Sequence, residues 1–174
     1  MIKKTQTKKG MTLFIAIVVM SILLFVSFAV ANIALKATIF ATSGRDSQYA
    51  FYAADAGMEC AMYWDSKPDT SKFDITTGGT SINCSGTNII DNSSVVYGTT
   101  TSPLPKAKIG GSNYSVFGFY LYPTNPTAIP YCAIVTVQKY NEGARLWTYI
   151  KSKGYNTCDT SNKRRVERGI EVKY

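Results

Sequence analysis

The feature that most constrains this chain is an uncharged, proline-free apolar run from Met11 to Ala31, preceded by a short stretch carrying Lys3, Lys4, Lys8 and Lys9. At 1.5 Å per residue, about 20 helical residues match a hydrocarbon core about 30 Å thick. Nothing inside the run breaks a helix or demands water. Lysines flanking a first apolar segment hold that side in the cytoplasm. The expected topology is therefore a single pass through the cytoplasmic membrane, with everything after Ala31 outside.

Two processing routes compete for such an N-terminus. Ala29-Val30-Ala31 fits the small-residue pattern at the end of a secretory signal, and cleavage there would release a chain starting at Asn32. The run is longer than the usual apolar region of such a signal, about 7–15 residues, and the sequence after it stays compatible with helix. The other route cuts directly after Gly10, removes only the basic leader, and leaves the apolar segment as both signal and anchor.

At that second site Lys9-Gly10-Met11-Thr12-Leu13 resembles the processing site of the type IV pilin superfamily. Further along, Ala53-Ala54-Asp55-Ala56-Gly57, within Tyr49 to Ala61, resembles the Ala-Ala-Glu-Ala-Gly segment of PilX-type minor pilins. Together the two segments cover about the first third of the chain. The resemblance implies that prepilin peptidase cuts between Gly10 and Met11 and methylates Met11. It implies that Met11, Thr12, Leu13, Phe14 and Ile15 open an assembly helix, stored first in the membrane and then built into an extracellular filament. The implied partners are prepilin peptidase, other pilin subunits and inner-membrane pilus assembly proteins. Major pilins mostly carry a glutamate where this chain has Ile15, and that carboxylate is thought to pair with a neighbour's free amino terminus, because an unpaired charge in a membrane is costly. This chain offers a terminus without the reciprocal carboxylate, which suits a minor subunit better than a major one.

The 174 residues leave room for one modest globular head beyond the long helix, and 13% aromatic content is enough to build its core. The expected organisation is a leader over 1–10, a transmembrane or filament-core segment over 11–31, an amphipathic half-helix over 32–65 and a head over 66–174. The net charge of +8 includes the four leader lysines, so half of it would leave with them and a nucleic-acid reading of total charge weakens. Four cysteines, Cys60, Cys84, Cys132 and Cys158, all follow the apolar run, on the side expected to be oxidising. Sequence proximity favours the pairs Cys60–Cys84 and Cys132–Cys158 among three connectivities. A zinc site is the rival, but no Cys-x-x-Cys spacing and no histidine support it, and no metal or cofactor is expected.

Helix-compatible sequence continues to about Asp65, before Pro68. Ile33, Ala37, Phe40 and Ala41, then Tyr49, Tyr52, Ala53, Ala56, Cys60 and Tyr63, recur at three- and four-residue steps and predict one face in need of a cover. Ser43-Gly44 is the soft point, either a hinge or a tolerated surface glycine. From Lys67 to Pro105 the sequence is rich in Ser, Thr, Gly and Asn, including Gly98 to Ser102, and reads as loop with a short strand or two. Tyr114 to Tyr122, Ala133 to Tyr140, Leu146 to Ser152 and Val166 to Tyr174 read as strands, with a turn at Asn141 to Ala144. The simplest assembly is an antiparallel meander packed on the outer half of the helix, an α+β fold in two layers like that of pilins.

Little here supports an enzyme. There is no histidine for acid–base work and no glycine-rich phosphate loop. Asp55 and Glu59 share a helix face, which reads as a solvated or intersubunit face before it reads as a catalytic pair. Ser152 has lysines on both sides, yet neighbours along a strand point to opposite faces. Lys163-Arg164-Arg165 with Arg168 is the one dense basic cluster after the leader. DNA phosphates, anionic glycans or an acidic neighbouring subunit would suit it, as would a solvated turn that discourages strand pairing. The expected function is a minor pilin that joins, primes or caps a filament. The alternatives are a type II secretion pseudopilin, or a secreted or tethered module that binds a surface.

Overall fold

The computed structural model describes residues 9–67, 70–95, 104–121 and 131–174. Lys3, Lys4, Lys8, Pro68, the stretch 98–102 and Tyr122, the expected end of the first long strand, lie outside the described residues. The chain divides into two units, Met1–Ser43 and Gly44–Tyr174.

One helix, α1, runs from Lys9 to Ser66. In the first unit every residue from Met11 to Ala41 is exposed. The helix continues through Gly44, where an added Cβ would meet nothing within 4 Å.

In the second unit α1 is followed by a hairpin of β1 (Ser81–Cys84) and β2 (Thr87–Ile90), and then by β3 (Tyr114–Leu121), β4 (Tyr131–Glu142), β5 (Arg145–Tyr155) and β6 (Glu167–Lys173). The last four form an antiparallel meander in the order β3-β4-β5-β6. Val135, Val137 and Ile150 stand on its inner face, as the period of two along a strand requires. At the β4–β5 turn Glu142 pairs with Arg145, and Gly143 adopts φ 65°, a left-handed conformation that costs glycine least. The architecture is α+β in two layers, a long N-terminal helix packed on a C-terminal antiparallel sheet, as expected from the sequence.

The helix meets the sheet through Ala50, Ala53, Ala54, Gly57, Met58 and Ala61, all buried at three- and four-residue steps. This corrects the expected stripe, because Tyr52 and Tyr63 are 64% and 50% exposed and lie on the outward side. The reason is distance. A Cβ added at Gly154 would sit 2.1 Å from the Ala50 carbonyl oxygen and 2.2 Å from the Ala54 nitrogen, so the backbones of α1 and β5 are nearly in contact. A Cβ at Gly57 would lie 2.3 Å from Ser152 Oγ and 2.9 Å from Val135 Cγ2. Only alanine and glycine fit that seam, and the rings are forced outward. Farther up the helix the gap widens, and Phe73, Ile82, Ile89, Phe117 and Phe119 fill the main core around Met58 and Ala61. A smaller cluster joins Leu104, Tyr120, Cys132, Tyr155 and Cys158 at the other end.

Candidate anchoring and assembly surfaces

The first candidate surface is the apolar half of α1. Met11, Leu13, Phe14 and Ile15 are 65%, 69%, 68% and 52% exposed, and the bond between Gly10 and Met11 falls in the first helical turn. The hydroxyls of this half are satisfied within the helix: Ser21 donates to the Val18 carbonyl at 2.8 Å, Ser27 to Leu23 at 2.8 Å and Thr38 to Ala34 at 3.0 Å. Internal satisfaction of this kind lets a polar side chain enter an apolar medium at low cost. The helix is long and apolar enough to cross a membrane, and none of its most apolar window is buried.

The second surface is the outward side of α1 in the other unit. Phe51 is 49% exposed and Met62 42%, and with Tyr52 and Tyr63 they surround the exposed carboxylates of Asp55 and Glu59. Neither carboxylate makes an ion pair among the described residues. The two do share a face, as their spacing predicts. Beside Glu59, an open hollow of about 440 Å³ lies between α1 and the β1–β2 hairpin, lined by Ala56, Glu59, Tyr63, Asn83 and Ser85 with the Cys60–Cys84 bridge. That bridge, with Cα atoms 5.7 Å apart, fixes one wall to the other, and Trp64 Nε1 donates to the Asn83 carbonyl at 3.0 Å beside it.

The second expected bridge is not formed. Cys132 and Cys158 are both buried as thiols, hydrogen-bonded to each other. That hydrogen bond, with burial added, pushes the Cys158 thiol well above its ordinary pKa and keeps it protonated. Topology brings the two sulfurs together, as proximity in sequence suggested. Bond formation is a separate step that must pass two electrons to an oxidant, and packing alone does not supply it.

The third surface is the β5–β6 connection with the basic cluster. Two of its four cations serve the fold: Arg165 stacks on Tyr155 with 3.7 Å between guanidinium carbon and ring centroid, and Arg168 Nε donates to Ser47 Oγ at 2.8 Å. Lys163 and Arg164 remain exposed. Their loop is tightly held. Asp159 accepts from the Ser161 amide at 2.8 Å, Asn162 Oδ1 from the Arg164 amide at 2.9 Å, and the Arg164 carbonyl accepts from Asn156 Nδ2 at 3.1 Å.

Sequence reasoning missed one site. Lys139 Nζ lies 2.6 Å from Asp65 Oδ1, with the two side chains 8% and 5% exposed, and Tyr174 Oη donates to Asp65 Oδ2 at 2.8 Å. Ser71 Oγ donates to the same carboxylate. Burial alone would raise the pKa of Asp65, but the hydrogen bonds from Lys139, Ser71 and Tyr174 and the lysine's charge outweigh it and hold the carboxyl below its ordinary value of 3.8. The signal was present in β4, where alternation from Val135 and Val137 puts Lys139 on the inner face and calls for a buried counter-charge. Ser152 falls as alternation predicts, wholly buried between the outward-facing Lys151 and Lys153, and its Oγ finds no hydrogen-bond partner among the described residues.

Among the described residues no three His, Cys, Asp or Glu side chains converge to hold a metal. Compared with known proteins, the chain matches no family model, no curated protein and no solved structure.

Proposed function

We propose that this chain is a minor subunit of a type IV pilin-like filament, processed by prepilin peptidase after Gly10 and methylated on Met11. The observation that carries this reading is the division of labour along one helix. From Met11 to Ala41 α1 is exposed throughout and overwhelmingly apolar, while from Ala50 to Ala61 the same helix is buried on a sheet through small residues.

A half-helix of this kind needs a solvent that is not water. Lipid serves before assembly, and packed helices of neighbouring subunits replace it afterwards, since both remove the same apolar surface from water. The head would then be displayed outside the cell, acting through assembly and contact rather than catalysis. The Ala-Ala-Asp-Ala-Gly stretch has a local role that accords with this reading, because it supplies the small surface on which the head packs.

The test is the N-terminal peptide of the mature protein, taken from its native cell envelope and read by mass spectrometry. A chain beginning at Met11 with a methylated amine is the expected result. A start at Asn32 would mean a secreted module, and an intact Met1 a plain membrane-anchored protein. Either would sink the proposal.

A further inference from the structure

Resting on the filament reading, we infer that the hollow beside Glu59 receives the Lys163–Arg164 arm of a second copy of this chain. The arm and the hollow are complementary in charge, and both are preformed. Glu59 supplies an exposed carboxylate without an ion pair among the described residues, and Asp55 repeats it one turn earlier. Tyr63 supplies a half-exposed ring, with Lys67 Nζ of the same chain 5.8 Å from its centroid, and the Asn83–Ser85 wall supplies polar groups. An exposed carboxylate without an ion pair suits a guanidinium through a charge-assisted hydrogen bond, and the incoming Arg164 shares the Tyr63 ring with Lys67. The disulfide between Cys60 and Cys84 holds the walls, so little order has to be gained on binding.

The arm is built to the same standard. Arg164 is fixed through both its amide and its carbonyl, at 2.9 and 3.1 Å, while its side chain stays exposed. Arg165, stacked on Tyr155, clamps the loop from behind. Within one head the two features do not meet. The basic loop leads into β6, whose Arg168 bonds to Ser47, whereas the hollow begins at Ala56, nine residues or roughly 13 Å farther along α1 at 1.5 Å per residue.

A contact between two different patches is heterologous, so each copy that accepts an arm still presents its own. Where the rotation between copies does not close into a ring, repetition yields an open-ended row, the symmetry a filament requires. It follows that this subunit enters the filament in adjoining copies and not singly.

The experiment uses full-length chains carrying two different tags, co-expressed in the native host, with copurification of one by the other measured from membranes and from sheared filaments. Glu59→Arg alone and Arg164→Glu alone should each cut copurification about tenfold or more, since each faces a like charge across the contact. The double variant restores an opposite-charge pair at every contact and should recover most of the loss. Single reversals without effect, or a double variant as poor as the singles, would overturn the inference. Wild-type copies that fail to copurify would overturn it too, and would point to a different neighbouring chain. Reading the N-terminal peptide in the same samples separates this from the broader proposal: a start at Met11 with no pairing leaves the filament reading standing and removes only the second copy. Proteolytic resistance of each variant's head checks that the reversals leave the fold intact.

Discussion

At the scale of single residues the largest energies sit where charge is buried. Lys139→Met strips the Asp65 carboxylate of its cation and leaves it inside the fold, which should cost about 3–5 kcal/mol in urea unfolding of the head. Replacing both partners, Asp65→Asn with Lys139→Met, should cost less than the single change, because no uncompensated charge remains. The sign of the pH dependence follows from the lowered pKa of Asp65. The native carboxyl binds its proton less readily than the unfolded one, so its contribution is full above the ordinary value of 3.8 and is lost as pH falls from there through the native value. Urea midpoints measured between pH 5 and pH 2 should fall less steeply in Asp65→Asn than in the parent chain. Ser152 predicts the opposite sign. Its hydroxyl is buried without a partner among the described residues, so Ser152→Ala should leave stability unchanged or raise it by about 1 kcal/mol.

At the scale of elements, the seam between α1 and β5 decides how the helix docks. Gly154→Ala places a methyl group 2.1 Å from a backbone oxygen, and neither backbone can yield without shifting the helix. A loss of about 3 kcal/mol or more is expected, with the Asp65–Lys139 pair disturbed at the far end. Gly57→Ala meets mainly the Ser152 hydroxyl and the Val135 methyl, so its cost should shrink in a Ser152→Ala background, and a double-mutant cycle measures that coupling. The Cys60–Cys84 bridge ties the β1–β2 hairpin to α1 across a separation of 24 residues. Replacing both cysteines with serine should lower unfolding stability by roughly 3 kcal/mol on the chain-entropy account.

At the scale of the whole molecule, the buried core among the described residues lies beyond Gly44. Among the described residues every buried hydrophobic one, from Ala50 to Cys158, belongs to the unit Gly44–Tyr174. A chain beginning at Gly44 should therefore fold with a single cooperative transition and full near-ultraviolet circular dichroism without detergent. The complete chain should need detergent or lipid, because the large apolar side chains between Met11 and Phe40 are 39% exposed or more. A head that loses cooperativity on truncation would show that the first unit contributes to the fold as well as to anchoring.

The elements were legible because their signals are local. An uncharged run without proline declares a long helix, and alternation with β-branched and aromatic residues declares the four strands, whose observed limits depart from expectation by at most three residues. Spacing also put Asp55 and Glu59 on one face and brought each cysteine next to its expected neighbour. The sequence by itself determined one helix, one meander and their order. What only the tertiary structure decided is which side of the helix is inside. Periodicity weighs apolar character and so favoured Tyr52 and Tyr63, but the close approach at Gly154 admits only small residues and turns the rings outward. The same close packing selected Asp65 as the partner of Lys139, divided the basic cluster into clamps and a free arm, and set Glu59 beside a hollow. Each of these depends on distances between segments far apart in the chain, which no local pattern encodes.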